Sequence, residues 1–179
     1  AALKKAQENG RRDTEGWEYG TNPCGEVPIR STGLCNLSET VARAKDTVED
    51  LIRKVKIATI IGTFQSTLTN FRYVRAGWKK NAEEERLLGV SITGIQDSPL
   101  LNLRADPVEL AALLDMLRQV AIDTNAEWAD KLGIPRSVAI LTVKPSGTVS
   151  SLVDSAAGIH RRHSNFYIRT VRSSKTDAV

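Results

Sequence analysis

The chain has 179 residues, of which 41% are hydrophobic and 26% charged, and its net charge at pH 7 is +4. This length fits one domain or a large piece of one, and the composition is ordinary for a soluble globular protein. No stretch approaches the roughly 18 uncharged apolar residues of a membrane span, so a membrane-spanning protein is not expected.

Both ends of the sequence suggest a fragment of a longer chain. Residues 1–12 are charged and lack the apolar core of a signal peptide, and the single methionine is Met116. Residues 173–179 are polar, and the sequence ends there without a helix or strand pattern that would complete a fold. Two cysteines without a secretory signal favour a reducing compartment, so we expect a cytoplasmic protein.

The first half of the chain predicts one strand and one long helix. Residues 1–20 are polar and predict a frayed helix and a loop. A further loop leads into a short strand at 34–41. Asp46 or Thr47 can cap a helix with an acidic first turn. Apolar residues then recur at helical spacing over 48–61.

The middle of the chain predicts a buried strand and a second long helix. Residues 86–95 carry Leu, Val and Ile between two glycines and predict the strand. Asp106 is the expected N-cap of the helix, with Pro107 at its first position, Glu109 completing the cap and Gly133 as its end. The predicted apolar face consists of Leu110, Leu113, Leu114, Leu117, Ala121 and Trp128.

The last part of the chain predicts two more strands around a turn. Residues 137–143 have the pattern of a buried strand, which ends at the turn 144–148. Residues 149–153 can begin a short helix. Residues 165–171 are a last strand candidate. Because strands alternate with helices, the sequence predicts an α/β fold.

The two cysteines lie close together, in Asn22-Pro23-Cys24-Gly25-Glu26 and Leu34-Cys35-Asn36-Leu37. In an extended loop, residues two apart point the same way, so the Cys24 thiol and the Glu26 carboxylate can face one substrate. A neighbouring carboxylate disfavours a thiolate, because two negative charges repel. The pair is therefore compatible with a thiol that loses a hydrogen atom. Inert cysteines beside a surface glutamate are the alternative, and His160 and His163 lack the spacing for a shared zinc site.

Two further patterns allow contact with phosphate. Backbone N–H groups of the turn 145–148, with nearby serine and threonine hydroxyls, can hold phosphate oxygens, although the spacing is not that of a Walker loop. A plain β-turn is the alternative. Basic residues interleave with aromatic residues at 72–80 and 161–172, which indicates either solvated surface or a nucleotide or nucleic-acid contact.

Together these segments resemble the large (catalytic) chain of the ribonucleotide reductases. The resemblance covers about residues 20–172 and is carried by the cysteine segments, Leu88-Gly89-Val90-Ser91-Ile92-Thr93-Gly94-Ile95-Gln96-Asp97, Lys144-Pro145-Ser146-Gly147-Thr148 and Ser155-Ala156-Ala157-Gly158-Ile159-His160, in the family's order. The short spacing of the cysteines is most similar to the monomeric, adenosylcobalamin-dependent class II enzymes.

The resemblance implies part of a ten-stranded α/β barrel with a central finger loop, with 1–179 as a partial catalytic barrel domain truncated at both ends. It also implies an oxidoreductase that reduces ribonucleotides, with ribonucleoside triphosphates as substrates, for DNA synthesis. The implied cofactor is adenosylcobalamin and the implied partner a thioredoxin-type reductant, with neither a membrane nor a nucleic acid as partner.

The resemblance also implies a role for each site residue. Cys24 matches the cysteine that becomes a thiyl radical and takes the 3′ hydrogen of the ribose, and Glu26 matches the general base on the 3′ hydroxyl. Asn22 matches an amide that hydrogen-bonds the substrate, and Cys35 matches one half of the reducing dithiol. The residues that would cradle the substrate phosphates are Pro145, Ser146, Gly147 and Thr148, with Ser150 as a further contributor.

This chain departs from the family because a third active-site cysteine, a terminal cysteine pair and the allosteric region are missing. We therefore expect no turnover by the 179 residues alone. One alternative is a reductase of another class, with a diiron radical partner. Another is a basic module that binds nucleic acid through 72–80 and 161–172.

Overall fold

The centre of the protein is a pair of parallel strands, seen in a computed structural model that describes residues 12, 15–102, 104–168, 170 and 172–176. Strand β3 (Asn36–Val41) pairs in parallel with β4 (Leu88–Thr93). Their register places Asn36 opposite Leu88 and Val41 opposite Thr93. The strands predicted at 34–41 and 86–95 are therefore confirmed.

A third segment continues this sheet on the other side of β4. The Val90 N–H donates to the Ile140 carbonyl (2.8 Å), the Thr142 N–H donates to the Val90 carbonyl (3.0 Å), and Val90 forms a parallel bridge with Leu141. The strand predicted at 137–143 is thus reduced to one bridge. Leu141 and Val143 are exposed, and no described strand pairs with this outer edge.

Two long helices cover one face of the sheet, and both begin as predicted. Helix α1 (Val48–Gln65) starts at Thr47, whose side chain forms a reciprocal capping box with Asp50. Helix α3 (Pro107–Leu132) starts at Asp106, whose carboxylate accepts hydrogen bonds from two backbone N–H groups, and it ends at Gly133 in the left-handed conformation. Between them lies α2 (Ala76–Glu85), which the sequence analysis did not predict.

The hydrophobic core lies between this sheet and the two long helices. Its buried members include Leu51, Val55 and Ala58 from α1, Leu88 and Val90 from β4, and Leu113, Leu117 and Ala121 from α3. Leu114, predicted on the same face, is instead exposed at the open edge of the sheet, beside Leu141 and Val143. The α/β class is confirmed, and the described residues form an open sheet rather than a closed barrel.

A small hairpin precedes the sheet. Strand β1 (Tyr19–Thr21) pairs antiparallel with β2 (Pro28–Arg30). The helix and loop predicted for 1–20 fall largely outside the described residues, and the described end of that stretch begins β1. Residues 22–27, which we call the tip loop, connect the two strands and carry Cys24 and Glu26.

The chain after α3 contains one short helix, α4 (Gly147–Leu152), close to the predicted position. The strand predicted at 165–171 is wrong for 165–168 and 170, where Phe166 and Ile168 are almost fully exposed. A strand needs a partner edge, and none is adjacent among the described residues. Residues 169 and 171 lie outside the description. No helix in the described part of the chain is long and apolar enough to cross a membrane.

Candidate active site

The tip loop is closed by hydrogen bonds of Asn22. The Asn22 N–H donates to the Val27 carbonyl (3.1 Å), the Val27 N–H donates to Asn22 Oδ1 (3.0 Å), and the Gly25 N–H donates to the Asn22 carbonyl (2.9 Å). Gly25 has a positive φ of 79°, which glycine adopts without a steric penalty. This geometry leaves Cys24 exposed at the end of the hairpin.

The Cys24 thiol and the Glu26 carboxylate converge on one side chain, that of Lys144. Lys144 Nζ lies 3.1 Å from Cys24 Sγ and 3.0 Å from Glu26 Oε1. Sulfur and carboxylate therefore face the same point in space. The sequence analysis did not single out Lys144. The available signal was its position at the end of a buried-strand pattern, directly before Pro145.

Glu26 is a sheltered carboxylate. Its side chain is 8% exposed, and neither oxygen accepts a well-aligned hydrogen bond from the described residues. Burial alone would raise the pKa of Glu26, but Lys144, the backbone N–H of Glu26 and the Asn22 side chain together lower it below its ordinary value. Glu26 is thus ionised at neutral pH and can accept a proton.

Cys35 lies just before β3, and its sulfur faces β4. A Cβ atom added at Gly89 would lie 3.0 Å from Cys35 Sγ, so the glycine makes room for the thiol. Burial, with a smaller effect of the Glu26 charge, raises the pKa of Cys35 to about 12. Cys35 is therefore a neutral thiol, and neither cysteine is in a disulfide.

A buried ionic network holds the hairpin against α2. Glu85, at the end of α2, accepts hydrogen bonds from Arg12 Nε (2.6 Å) and Arg12 Nη2 (2.9 Å) and also pairs with Arg30 Nε at 3.3 Å. Arg12 Nη1 donates to the Pro28 carbonyl (2.8 Å), and the Arg30 guanidinium stacks on Trp17 at 4.0 Å. The sequence analysis did not identify this network, which fixes both flanks of the hairpin.

The residues predicted to hold phosphate follow Lys144 directly. Pro145 and Ser146 lead into Gly147 and Thr148, the first two residues of α4, and we call residues 145–148 the serine turn. Ser146 is buried with a positive φ of 61°, and its Oγ has no hydrogen-bond partner among the described residues. Pro145, Gly147 and Thr148 are exposed. The Ser150 hydroxyl donates to the Gly147 carbonyl (2.7 Å), so it supports the turn from inside. A cavity of about 490 Å³ adjoins the turn, with Gly147, Ser150, Arg161 and His163 in its wall.

The predicted basic clusters are partly engaged within the protein. Arg162 forms a two-point ion pair with Asp97 (3.1 Å for both contacts) and a second pair with Asp154 (2.8 Å). Lys79 and Lys80 lie 3.9 Å from Glu83 and Glu84, respectively, on the surface of α2. This local pairing favours the interpretation of 72–80 as solvated surface.

Comparison with known proteins connects this chain to a family. No protein-family model matches the chain. An adenosylcobalamin-dependent ribonucleoside-triphosphate reductase from Lactobacillus gasseri is 30% identical over 186 residues, covering 91% of this chain and 25% of the relative. A probable reductase of the same description from Dictyostelium discoideum is 32% identical over 160 residues, covering 87% and 20%. The chain spans about a quarter of the length of these relatives.

A solved structure shares the fold. The crystal structure of a B-12 dependent (class II) ribonucleotide reductase superposes with a TM-score of 0.62 and 24% identity, covering 80% of this chain and 23% of that one. The family resemblance of the chain is confirmed: this chain is homologous to a segment of the adenosylcobalamin-dependent ribonucleoside-triphosphate reductases.

Proposed function

We propose that this chain forms part of the active site of a reductase that converts ribonucleoside triphosphates to 2′-deoxyribonucleotides. The observation that carries the proposal is the convergence of Cys24 Sγ and Glu26 Oε1 within 3.1 Å of Lys144 Nζ. An exposed thiol beside a sheltered, ionised carboxylate suits a substrate that gives a hydrogen atom to one group and a proton to the other.

Glu26 is the proposed general base. Lys144 pairs with Oε1, whereas Oε2 is buried and lacks a well-aligned donor among the described residues. An incoming 3′ hydroxyl would therefore donate to Oε2. The hydroxyl proton passes to Glu26 while Cys24, as a thiyl, takes the hydrogen atom from the 3′ carbon. Asn22 uses Oδ1 to close the tip loop. Its side-chain NH₂ group helps to lower the pKa of Glu26, and its second N–H would donate to the substrate.

The surroundings of Cys24 fit the reactive end of adenosylcobalamin. Cys24 is exposed, and a Cβ atom added at Gly25 would meet nothing within 4 Å, so a large planar group can approach the sulfur. When bound, the cofactor supplies the unpaired electron that makes Cys24 a thiyl. This segment would present the thiol, and other residues would enclose the cofactor.

Cys35 is the proposed source of one reducing equivalent. Loss of the 2′ hydroxyl as water consumes two electrons and two protons, which two thiols supply as they form one disulfide. As a neutral thiol with a pKa of about 12, Cys35 carries a proton as well as an electron. The sequence holds two cysteines and Cys24 serves the radical step, so the second reducing thiol must come from outside these residues. A thioredoxin-type reductant would then reduce the disulfide.

The serine turn is the proposed site of the substrate phosphates. The buried Ser146 hydroxyl lacks a partner among the described residues, and Gly147 and Thr148 are exposed. Because Lys144 directly precedes the turn, phosphates held there would place the ribose near Cys24 and Glu26. Ser150 would act by holding the turn rather than by direct contact.

We further propose that the sheet belongs to a ten-stranded barrel in which the tip loop is the central finger. The exposed apolar residues Leu141 and Val143 mark the edge where another strand would pair. A cytoplasmic location suits the proposal, because that compartment keeps both cysteines reduced.

The proposal is tested on the full-length polypeptide with adenosylcobalamin, a dithiol reductant and a ribonucleoside triphosphate labelled at the 3′ hydrogen. Cys24→Ser should abolish both exchange of the label and product formation. Cys35→Ser should retain the exchange and lose dithiol-coupled reduction. Normal reduction by both variants would refute the assignment, and activity without the cobalamin would support a reductase with a different radical source.

A further inference from the structure

We infer that Lys144 is a positioning residue of the proposed reaction, which holds the Glu26 carboxylate and the Cys24 sulfur toward the same point of the substrate. The inference rests on the proposed function and adds a residue to it. An ammonium group has three N–H donors. Lys144 directs one toward Cys24 Sγ at 3.1 Å and another toward Glu26 Oε1 at 3.0 Å.

Among the described lysine ion pairs this one is well sheltered, and only the pair of Lys54 and Asp46, at 28% and 8% exposed, is comparable. The side chains of Lys144 and Glu26 are 23% and 8% exposed, whereas those of Lys131 and Glu127, on α3, are 56% and 58% exposed. Exposed pairs contribute little to geometry or stability, because water and rotamer entropy compete with them. A sheltered pair confines both partners, and truncating one leaves the other charge buried.

The backbone of Lys144 is itself held in place. A Cβ atom at Gly158 would lie 2.6 Å from the Lys144 carbonyl oxygen, so the loop that contains Gly158 lies directly against position 144. The loop is tied to the end of β4, because the Gly158 N–H donates to Thr93 Oγ1 (2.8 Å) and Thr93 Oγ1 donates to the Ala156 carbonyl (3.0 Å). Two residues before Lys144, Thr142 Oγ1 donates to the Glu26 carbonyl (3.3 Å).

This arrangement gives the two carboxylate oxygens different roles. Lys144 engages Oε1, and Oε2 is left to accept the proton of the substrate hydroxyl. The charged and titratable groups around Glu26 are Cys24 on its own loop, Lys144 and Cys35. The charge of Arg12 lowers the pKa of Cys35 against the larger opposite effect of burial. Burial still raises the pKa of Glu26 when Lys144 is removed, but the hydrogen bond and the charge of Lys144 that lower it are lost. The base would therefore be protonated at a higher pH than in the unmodified protein.

The test compares Lys144→Met and Lys144→Arg in the full-length polypeptide, with Lys131→Met as the matched control. One readout is the pH profile of 3′-hydrogen exchange. The other is equilibrium binding of a ribonucleoside triphosphate against its 3′-deoxy analogue, which needs neither turnover nor cofactor. K144M should lower kcat about 100-fold, move the acid limb of the profile to higher pH and reduce the preference for the 3′ hydroxyl. K144R should keep most of the rate, the pH profile and the binding preference of the unmodified protein. K131M should match the unmodified protein in all three.

The outcomes separate this inference from the proposed function. If the unmodified polypeptide exchanges the 3′ hydrogen and K144M keeps the same acid limb and the same binding preference, the role of Lys144 is refuted while the function stands. If the unmodified polypeptide shows neither exchange nor a preference for the 3′ hydroxyl, both fail together. Lys144→Gln, which keeps a polar side chain of similar reach, takes the place of K144M should that variant not fold.

Discussion

Arg12 and Glu85, 73 positions apart in the sequence, form a two-point ion pair with contacts of 2.6 and 2.9 Å. Both side chains are 3% exposed. Glu85 also pairs with Arg30 at 3.3 Å, so one carboxylate at the end of α2 holds two arginines on either side of the hairpin. The position of the tip loop, and with it the candidate site, depends on this network.

The first prediction is that Glu85→Gln destabilises the protein by about 3 kcal/mol, because it leaves the buried Arg12 guanidinium without its anion and removes one of the two carboxylates that pair with Arg30. Glu84→Gln is the matched control. Glu84 neighbours Glu85 and pairs with Arg30 from a half-exposed position, so its loss should cost less than about 1 kcal/mol. Urea unfolding of both variants measures the difference, and equal effects would show that the buried network is not an anchor.

The second prediction concerns the two thiols. Because burial raises the pKa of Cys35 to about 12, Cys35 stays protonated at pH 8 and should react with iodoacetamide far more slowly than the exposed Cys24. Mass spectrometry of the folded protein after short labelling should find the label on Cys24. Labelling in urea is the control, since there the two rates should become similar. Comparable labelling of both cysteines in the folded state would contradict the burial of Cys35.

Features that depend on neighbouring residues could be predicted from the sequence, whereas features that depend on distant residues could not. Helix α3 was predictable at both ends, because Asp106, Pro107 and Gly133 act on backbone groups within a few residues. The common orientation of Cys24 and Glu26 was predicted for an extended loop, whereas the structure brings the two side chains together in a turn, with Gly25 at a φ of 79°. Local patterns alone therefore predicted the long helices and the core strands.

The remaining features depend on contacts between distant parts of the chain. Lys144 meets Cys24 across 120 positions, and no pattern within one segment indicates such a meeting. The hairpin strands have three residues each, too few for an alternating pattern to be recognised. The strand predicted at 137–143 was overestimated for a related reason: its apolar residues indicate burial, but Leu141 and Val143 find no covering partner among the described residues.

The third prediction is a dependence of stability on pH that comes from Glu26. Its pKa in the folded protein is lowered below the ordinary value, although burial opposes the effect, because Lys144 and nearby hydrogen bonds favour the charged form. Ionised Glu26 therefore stabilises the fold above its unfolded pKa, about 4.3. This contribution is lost as the pH falls through the lower folded pKa.

Urea midpoints measured between pH 3 and pH 7 test this linkage. Glu26→Gln should remove part of the decline on the acid side, whereas Asp115→Asn, at a 77% exposed position on α3, should leave the curve nearly unchanged. An unchanged acid limb in Glu26→Gln would mean that Lys144 does not favour the charged form of this carboxylate.

The fourth prediction concerns Gly158, which has a positive φ of 54°. A Cβ atom there would lie 2.6 Å from the Lys144 carbonyl and 3.3 Å from the Pro145 carbonyl. Gly158→Ala is therefore strained in its own backbone and also pushes the chain that carries Lys144 away from the tip loop. We expect a loss of stability of about 1–3 kcal/mol, together with a weaker preference for a ribonucleotide over its 3′-deoxy analogue.

Gly20→Ala is the control, because a Cβ at that position meets nothing within 4 Å and its φ is not positive. It should change neither stability nor the binding preference appreciably. If Gly158→Ala lowered stability but left the preference for the 3′ hydroxyl intact, the loop would support the fold without controlling Lys144. A parallel loss of both would connect the end of β4, through Thr93 and Gly158, to the position of the ammonium group between Cys24 and Glu26.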